Sequence, residues 1–229
     1  MKTSIIIISG NPVSSKSKMC LDSIYNNTKD FELILISVGI RPDFNHSREI
    51  NRALSIANGK YIILMDDDVV VTENWIDGLI NGLKSYPNVG IVGAKIFDKD
   101  GNLNHTGGNV SLFEFGWHFK TDIKKPTLRP YVTSACMLIT QKAYKKIGKF
   151  DENFQKYGQD ADYCIRAWEK GLKVVCTPEC VVTHLVGATI DMRDDKWRVW
   201  DKDRKYFNNK WFNSNKYYEI MERMLNEDV

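Results

Sequence analysis

Apolar and polar positions alternate along the first hundred residues between short continuous apolar runs and longer segments of helical spacing. Ser4 to Ser9 is an unbroken, mostly β-branched stretch, which predicts a strand covered on both faces. Gly10-Asn11-Pro12 closes it with a turn. Apolar residues in Met19 to Asn27 then fall at helical spacing, and Phe31 to Val38 reads as a second buried strand ended by Gly39. A helix is expected over Arg48 to Ala57, with Asn58-Gly59 as a left-handed cap. Tyr61 to Met65 is a third buried strand that runs into Asp66-Asp67-Asp68, Trp75 to Lys84 a further helix, and Val89 to Ile96 a fourth strand.

This rhythm of strand and helix predicts right-handed crossovers and a mostly parallel sheet with helices on both faces, an α/β, Rossmann-like class. Ligands of such sheets bind beyond the carboxyl ends of the strands. The acidic triplet occupies that position.

Beyond Asp98 the texture changes. Turn-rich segments and an aromatic patch (Phe113, Phe115, Trp117, Phe119) come first. A strand at Val132 to Thr140, helices at Lys142 to Ile147 and Asp160 to Lys170, and paired short strands at Val174 to Cys176 and Val181 to Thr183 follow. Trp197, Trp200, Phe207 and Trp211 then recur at helix-compatible spacing. We read one domain over 1–190, divided at 98 into two halves, and a C-terminal aromatic and basic helical extension over 191–229.

Composition narrows the classes. A net charge of +3 without a long basic run gives no footprint for nucleic acid. No stretch approaches the ~20 apolar residues of a membrane span, and five cysteines without a Cys-x-x-Cys pair suit a reduced compartment. The expected location is cytoplasmic, with peripheral attachment at the inner membrane surface through the C-terminal segment as the alternative.

The triplet carries the chemistry. Carboxylates this close repel unless a cation lies between them, and Mg²⁺ or Mn²⁺ is the hard divalent ion such oxygens favour. A bland reading, with Asp68 capping the segment near Thr72, competes with it. Ala57-Asn-Gly-Lys-Tyr-Ile-Ile-Leu-Met-Asp-Asp-Asp-Val69 resembles the Asp-x-Asp segment of family 2 glycosyltransferases of GT-A fold. The opening Ile-Ile-Ile-Ile-Ser-Gly-Asn11, Asn51-x-Ala53 and Gly158-Gln-Asp-Ala-Asp-Tyr-Cys-Ile-Arg-Ala-Trp-Glu-Lys-Gly171 resemble that family in the same order, over about residues 4–187.

That resemblance implies a GT-A fold whose first half, 1–98, binds a nucleotide-sugar and whose second, 99–190, receives the acceptor. It makes Asp68, Asp66 and His184 the metal ligands, for Mn²⁺ or Mg²⁺, and Asp160 the general base of an inverting transfer. Its donor-binding set is Ser9, Asn11, Ser37, Arg48, Asn51, Asp66 and Asp67. Asp160 and Asp162 also head a helix, where carboxylates are favoured without any catalytic role, and Asp162 is read as structural. The chain departs from the family in carrying Gln159 where Glu is usual, and Ser37 near a position often acidic.

Three further groups of residues admit a functional role. Cys176, Cys180 and His184 have spacing for zinc but lack an evident fourth ligand, so that site is rejected. Arg41, Arg48 and Arg52 are either phosphate contacts or solvated surface, and Asn104 to Gly108 either an acceptor rim or a plain turn. The expected activity is transfer of a sugar from a nucleotide-diphosphate donor, UDP by default and dTDP as the alternative, to a glycan, lipid-linked or protein acceptor. A sugar-phosphate nucleotidyltransferase and a non-catalytic binding domain are the competing functions.

Overall fold

The computed structural model describes residues 3–39, 43–112, 115–185 and 195–226. β1 (Thr3–Ser9) lies between two parallel neighbours, β2 (Phe31–Ser37) and β3 (Tyr61–Asp66). Helices α1 (Ser15–Asn27) and α2 (His46–Leu54) make the crossovers. The remaining elements are β4 (Val69–Val71), α3 (Trp75–Gly82), β5 (Val89–Asp98), β6 (Leu103–His105), β7 (Gly108–Val110), β8 (Phe115–His118), β9 (Thr127–Leu128), β10 (Cys136–Thr140), α4 (Gln141–Ile147), α5 (Gln159–Glu169), β11 (Lys173–His184), α6 (Lys196–Trp211) and α7 (Lys216–Asn226).

One sheet runs in the order β2-β1-β3-β10-β5-β11-β4, with β6 on β5 and β9 on β11. It is mixed, because β10 runs antiparallel to both β3 and β5. Alternation along β1 sends Ile5 and Ile7 to one face and Ile6 to the other. The first face packs with Cys20 and Ile24 of α1 and with Trp75 and Leu79 of α3. The second packs with α2, α5 and the C-terminal helices.

Four local expectations are corrected. β2 is an edge strand in which Ile34 alone is buried, because no strand covers its outer side. α2 begins at His46, where the Asn45 side chain accepts from Arg48 N at 2.8 Å, and it ends at Leu54 with no left-handed cap. Asn58 instead binds Glu32, and Gly59 is needed for closeness: a Cβ there would lie 2.5 Å from Ser4 N. The strand foreseen from Val132 starts at Cys136, which leaves residues 133–135 as a turn at the sheet's mouth. The two short strands foreseen at 174–183 are one strand, β11, parallel to β5 with a register shift between Thr177 and Val181. Pro178 has no N–H to give a ladder and sits in that irregularity.

The link from β3 to β4 fixes the site. Only Asp67 and Asp68 separate the two strands, yet β4 pairs with β11 at the other end of the sheet order. Three Cα steps from Asp66 to Val69 span at most about 11 Å. The sheet must therefore curl until the carboxyl ends of β3 and β11 converge. The β4–β11 register sets His184 opposite Val69, beside Asp68.

The C-terminal helices share the main core. Phe207, Trp211, Tyr217 and Ile220 are each 4% exposed or less and cluster with Phe154 and Ile165. Trp197 is 70% exposed. Among the described residues, no helix is long and apolar enough to cross a membrane. Phe207→Ala is expected to cost about 3–5 kcal/mol of stability and Trp197→Ala under about 0.5. Urea unfolding of both variants checks this; equal effects would show that α6 does not contribute its inner face to the core.

Candidate active site

Asp66 ends β3, Asp68 ends the turn that follows, and His184 ends β11. His184 Nε2 lies 2.9 Å from Asp68 Oδ1 and 3.8 Å from Asp66 Oδ2. Ligand atoms of the three all fall within 4.8 Å of one another. Asp68 is 3% exposed, and its Oδ2 is buried without a hydrogen-bond partner. An orphaned buried carboxylate oxygen costs free energy that a cation would recover. Two carboxylates and one imidazole suit a divalent ion such as Mn²⁺.

Their charges are interdependent. Burial pushes the Asp66 carboxyl above its usual range, and Asp68 and Asp67 add to this against the opposing pull of His184 and Lys156. Burial also works against the charge on Asp68, but the hydrogen bond and charge of His184 outweigh it and hold Asp68 low. Burial alone would lower His184; its bond to Asp68 and the two carboxylate charges raise it instead.

Asp67 faces a different neighbourhood. Ser9 Oγ donates to Asp67 Oδ2, as does Ser17 Oγ at 2.9 Å. Ser9 is wholly buried, so this carboxylate ties the end of β1 and the start of α1 to the acidic turn. Ser17 carries no signal in the sequence, because one serine among Ser14, Ser15 and Ser17 has nothing local to mark it as a partner of Asp67.

Asp160 opens α5 just after Gly158, whose φ of +73° needs glycine. Its Oδ1 accepts from Ala161 N at 2.8 Å and its Oδ2 from Ser134 N at 3.3 Å. Burial raises its carboxyl above the usual range and Asp66 adds to this, with the two N–H groups and the Thr133 hydroxyl opposing. Asp160 thus joins the same charge cluster as the triad. Asp162 points the other way: 0% exposed, it holds Arg166 Nε and Lys210 Nζ at 2.8 Å and Trp211 Nε1 at 2.9 Å.

The other expected residues are spread more widely. Ser37 is exposed at the end of β2, in register with Ser9, and Asn11 is exposed in the turn after β1. Arg48 is exposed on α2, with a 3.4 Å contact to the Asp43 carbonyl, and Arg52 pairs with Glu49. Arg41 lies outside the described residues. Asn51 is buried with both ends of its amide occupied by Phe150 and Glu152, so it braces the approach to α5 and has no group left for a donor. Gln159 Nε2 lies 3.0 Å from His46 Nδ1, a ring that burial, with the charge of Lys156 adding, keeps neutral. Two uncharged groups therefore meet where the usual Glu would bring a charge.

The segment Asn104 to Gly108 is mostly interior. His105 and Thr106 are 1% exposed or less: the His105 ring meets His118 edge-on at 4.5 Å, and Arg129 Nε donates to the Thr106 carbonyl at 2.6 Å. Asn104 alone of the five reaches a cavity of about 620 Å³, shared with Trp117, His118 and Lys120. Cys176 and Cys180 are buried, and the metal-ligating group among the described residues includes neither.

A curled mixed sheet with an Asp-Asp-His cluster at its mouth defines a class, the GT-A fold. A solved structure of GalNAc-T7 with UDP, GalNAc and Mn2+ superposes with a TM-score of 0.66 at 14% identity, covering 82% of this chain and 44% of that one. Residues 38–148 match the model of glycosyl transferase family 2. It is 31% identical over 159 residues to an O-antigen biosynthesis protein RfbC of Myxococcus xanthus, covering 64% of this chain and 12% of the relative. It is 25% identical over 142 residues to an N-acetylglucosaminyl-diphospho-decaprenol L-rhamnosyltransferase of Mycobacterium tuberculosis, covering 54% and 46%. The chain spans less than half the length of either relative.

The two carboxylates of α5 should respond oppositely to amidation. Asp162→Asn removes the buried charge that pairs with Arg166 and leaves Lys210 with Asp151 alone, and is expected to cost about 3–5 kcal/mol. Asp160→Asn removes a charge that burial disfavours, so its thermal midpoint should hold or rise. Melting curves at neutral pH decide; a large loss for Asp160→Asn would make it a structural carboxylate.

Proposed function

We propose that this chain transfers a sugar, with inversion, from a nucleotide-diphosphate donor to a hydroxyl of a glycan, lipid-linked or protein acceptor. The observation that carries the reading is the buried, unpartnered Asp68 Oδ2 beside His184 and Asp66, with Asp160 in the same charge cluster. The chemistry of that set and the family match support it.

Asp66, Asp68 and His184 would hold Mn²⁺ or Mg²⁺. The ion, when bound, neutralises charge that develops on the departing nucleoside diphosphate. The nucleoside lies over the ends of β1 and β2, where the exposed Ser37 and Asn11 offer polar groups. UDP-sugars are the favoured donors and dTDP-sugars the alternative, since Ser37 gives the base no charged partner.

Asp160 is the general base. Its raised carboxyl is a better proton acceptor than an ordinary aspartate once ionised, and Ser134 N–H and Ala161 N–H fix its rotamer. The acceptor hydroxyl attacks the anomeric carbon, its proton passes to Asp160, and the bond from that carbon to the diphosphate oxygen breaks. Residues 1–98 hold the donor and 99–190 meet the acceptor, with the open cavity beside Trp117 and His118 as the place for its sugar. RfbC is named for O-antigen biosynthesis and the rhamnosyltransferase for an N-acetylglucosaminyl-diphospho-decaprenol, which supports a glycan or lipid-linked acceptor.

A panel of nucleotide-sugars assayed with Mn²⁺ tests the reading. Turnover is expected with at least one donor and is lost on chelation. Asp160→Asn should lower kcat about 10²–10⁴-fold while nucleotide binding persists. The base must be ionised, so activity should fall with acid through a pKa above the ordinary ~3.9 of aspartate. Absence of turnover with every donor, or full activity in Asp160→Asn, would refute the assignment.

A further inference from the structure

The segment that leads into α5 is pinned from several sides. Asn45 Nδ2 donates to the Glu152 carbonyl at 2.8 Å, and His46 N donates to the Gln155 carbonyl at 2.7 Å. The C-terminal helix α6 adds the strongest hold. Asp203, 0% exposed, accepts from the backbone N–H groups of Gln155, Lys156 and Tyr157 at 3.0, 2.8 and 2.9 Å. Three successive N–H groups converging on one carboxylate form an anion nest, here filled by the protein itself. The backbone at Lys156 is thereby fixed.

The Lys156 side chain is treated differently. It is half-buried, and among the described residues it has no hydrogen-bond or ion-pair partner. Its charge nevertheless acts on Asp66, on His184 and on His46. A lysine able to reach an acidic cluster ordinarily closes an ion pair with it. Here Asp68 is engaged by His184 instead, which leaves the ammonium for another anion. Charge balance gives that arrangement a purpose. A divalent ion on Asp66 and Asp68 is already neutralised by them, so a diphosphate arriving there brings negative charge that needs a further cation.

We propose that Lys156 is an anion-binding residue of this site that contacts the donor's diphosphate, and that Asp203 of α6 is the positioning residue that sets it there. The proposal rests on the donor-binding reading given above. It gives the C-terminal helices a part in the site, because the carboxylate that orders the Lys156 backbone comes from α6. The same clamp sits three residues before Asp160 at its C-terminal end, so the loop's order serves both the leaving-group side and the base.

Titration calorimetry with UDP and with dTDP, each with Mn²⁺, tests both residues in the full chain. Lys156→Ala should weaken binding about 10- to 100-fold, with a shallower salt dependence, and Lys156→Arg should recover part of it. Asp203→Asn should weaken binding too, but add little when Lys156 is already alanine. Melting curves separate this from unfolding, and Asp203→Ser serves if the asparagine variant is poorly folded. Wild-type affinity in Lys156→Ala, while the unaltered protein binds nucleotide with Mn²⁺, would overturn the role of Lys156 and leave the functional reading standing. No binding of either nucleotide by the unaltered protein would overturn both. A lowered melting temperature with unchanged affinity in Asp203→Asn would overturn its positioning role.

Discussion

Two residues between β3 and β4 constrain everything at the mouth of this sheet. The chain leaves Asp66, passes Asp67 and Asp68, and is at once paired with β11. A flat sheet of this strand order could not accommodate so short a passage. The curl it imposes carries His184 to Asp68 and produces a three-ligand cluster from residues 116 positions apart, counting from Asp68 to His184. Asp67 holds the turn in place through Ser9 and Ser17. The middle carboxylate is therefore the one that builds the turn, and its neighbours are the ones that meet His184 in the cluster.

A second framework meets the first from the opposite face. Asn51 and Asn45 from α2, and Asp203 from α6, fix the chain before α5, while Asp162 gathers Arg166, Lys210 and Trp211 beneath it. Asp160 lies on the other side of that helix start, accepting from Ser134 N in the turn of residues 133–135. Two adjacent carboxylates on one helix thus divide their work by direction: one binds the protein together, and one stands in the cluster with Asp66. The C-terminal helices belong to this framework through Phe207 and Trp211, so the segment that reads as an extension is part of the body.

Most of the architecture was legible because the continuous apolar runs at Ile5–Ile8 and Ile62–Met65 admit no element but a buried strand at that length. The acidic triplet was legible for a similar reason, since charge directly after such a run has to lie at a strand end. What stayed hidden depends on long-range pairing. β4 is three valines with no period of its own, and without it nothing in the sequence brings His184 to Asp68 except family resemblance. The exposure of β2 follows from its edge position, which no local pattern records. Asn51 looked like a ligand contact because an asparagine amide can serve either purpose, and only its partners decide. Lys156 and Asp203 gave no signal, because a clamp made of backbone N–H groups leaves no trace in side-chain identity.

The proposed chemistry needs β3 and β11 to converge at a divalent ion. Anomalous diffraction at the manganese edge, from crystals grown with Mn²⁺ and a nucleoside diphosphate, measures this directly. One strong peak is expected within coordination distance of Asp68 and His184, with the diphosphate on its open side. A nucleotide seated over the sheet with no peak at these residues, or a peak elsewhere, would contradict it.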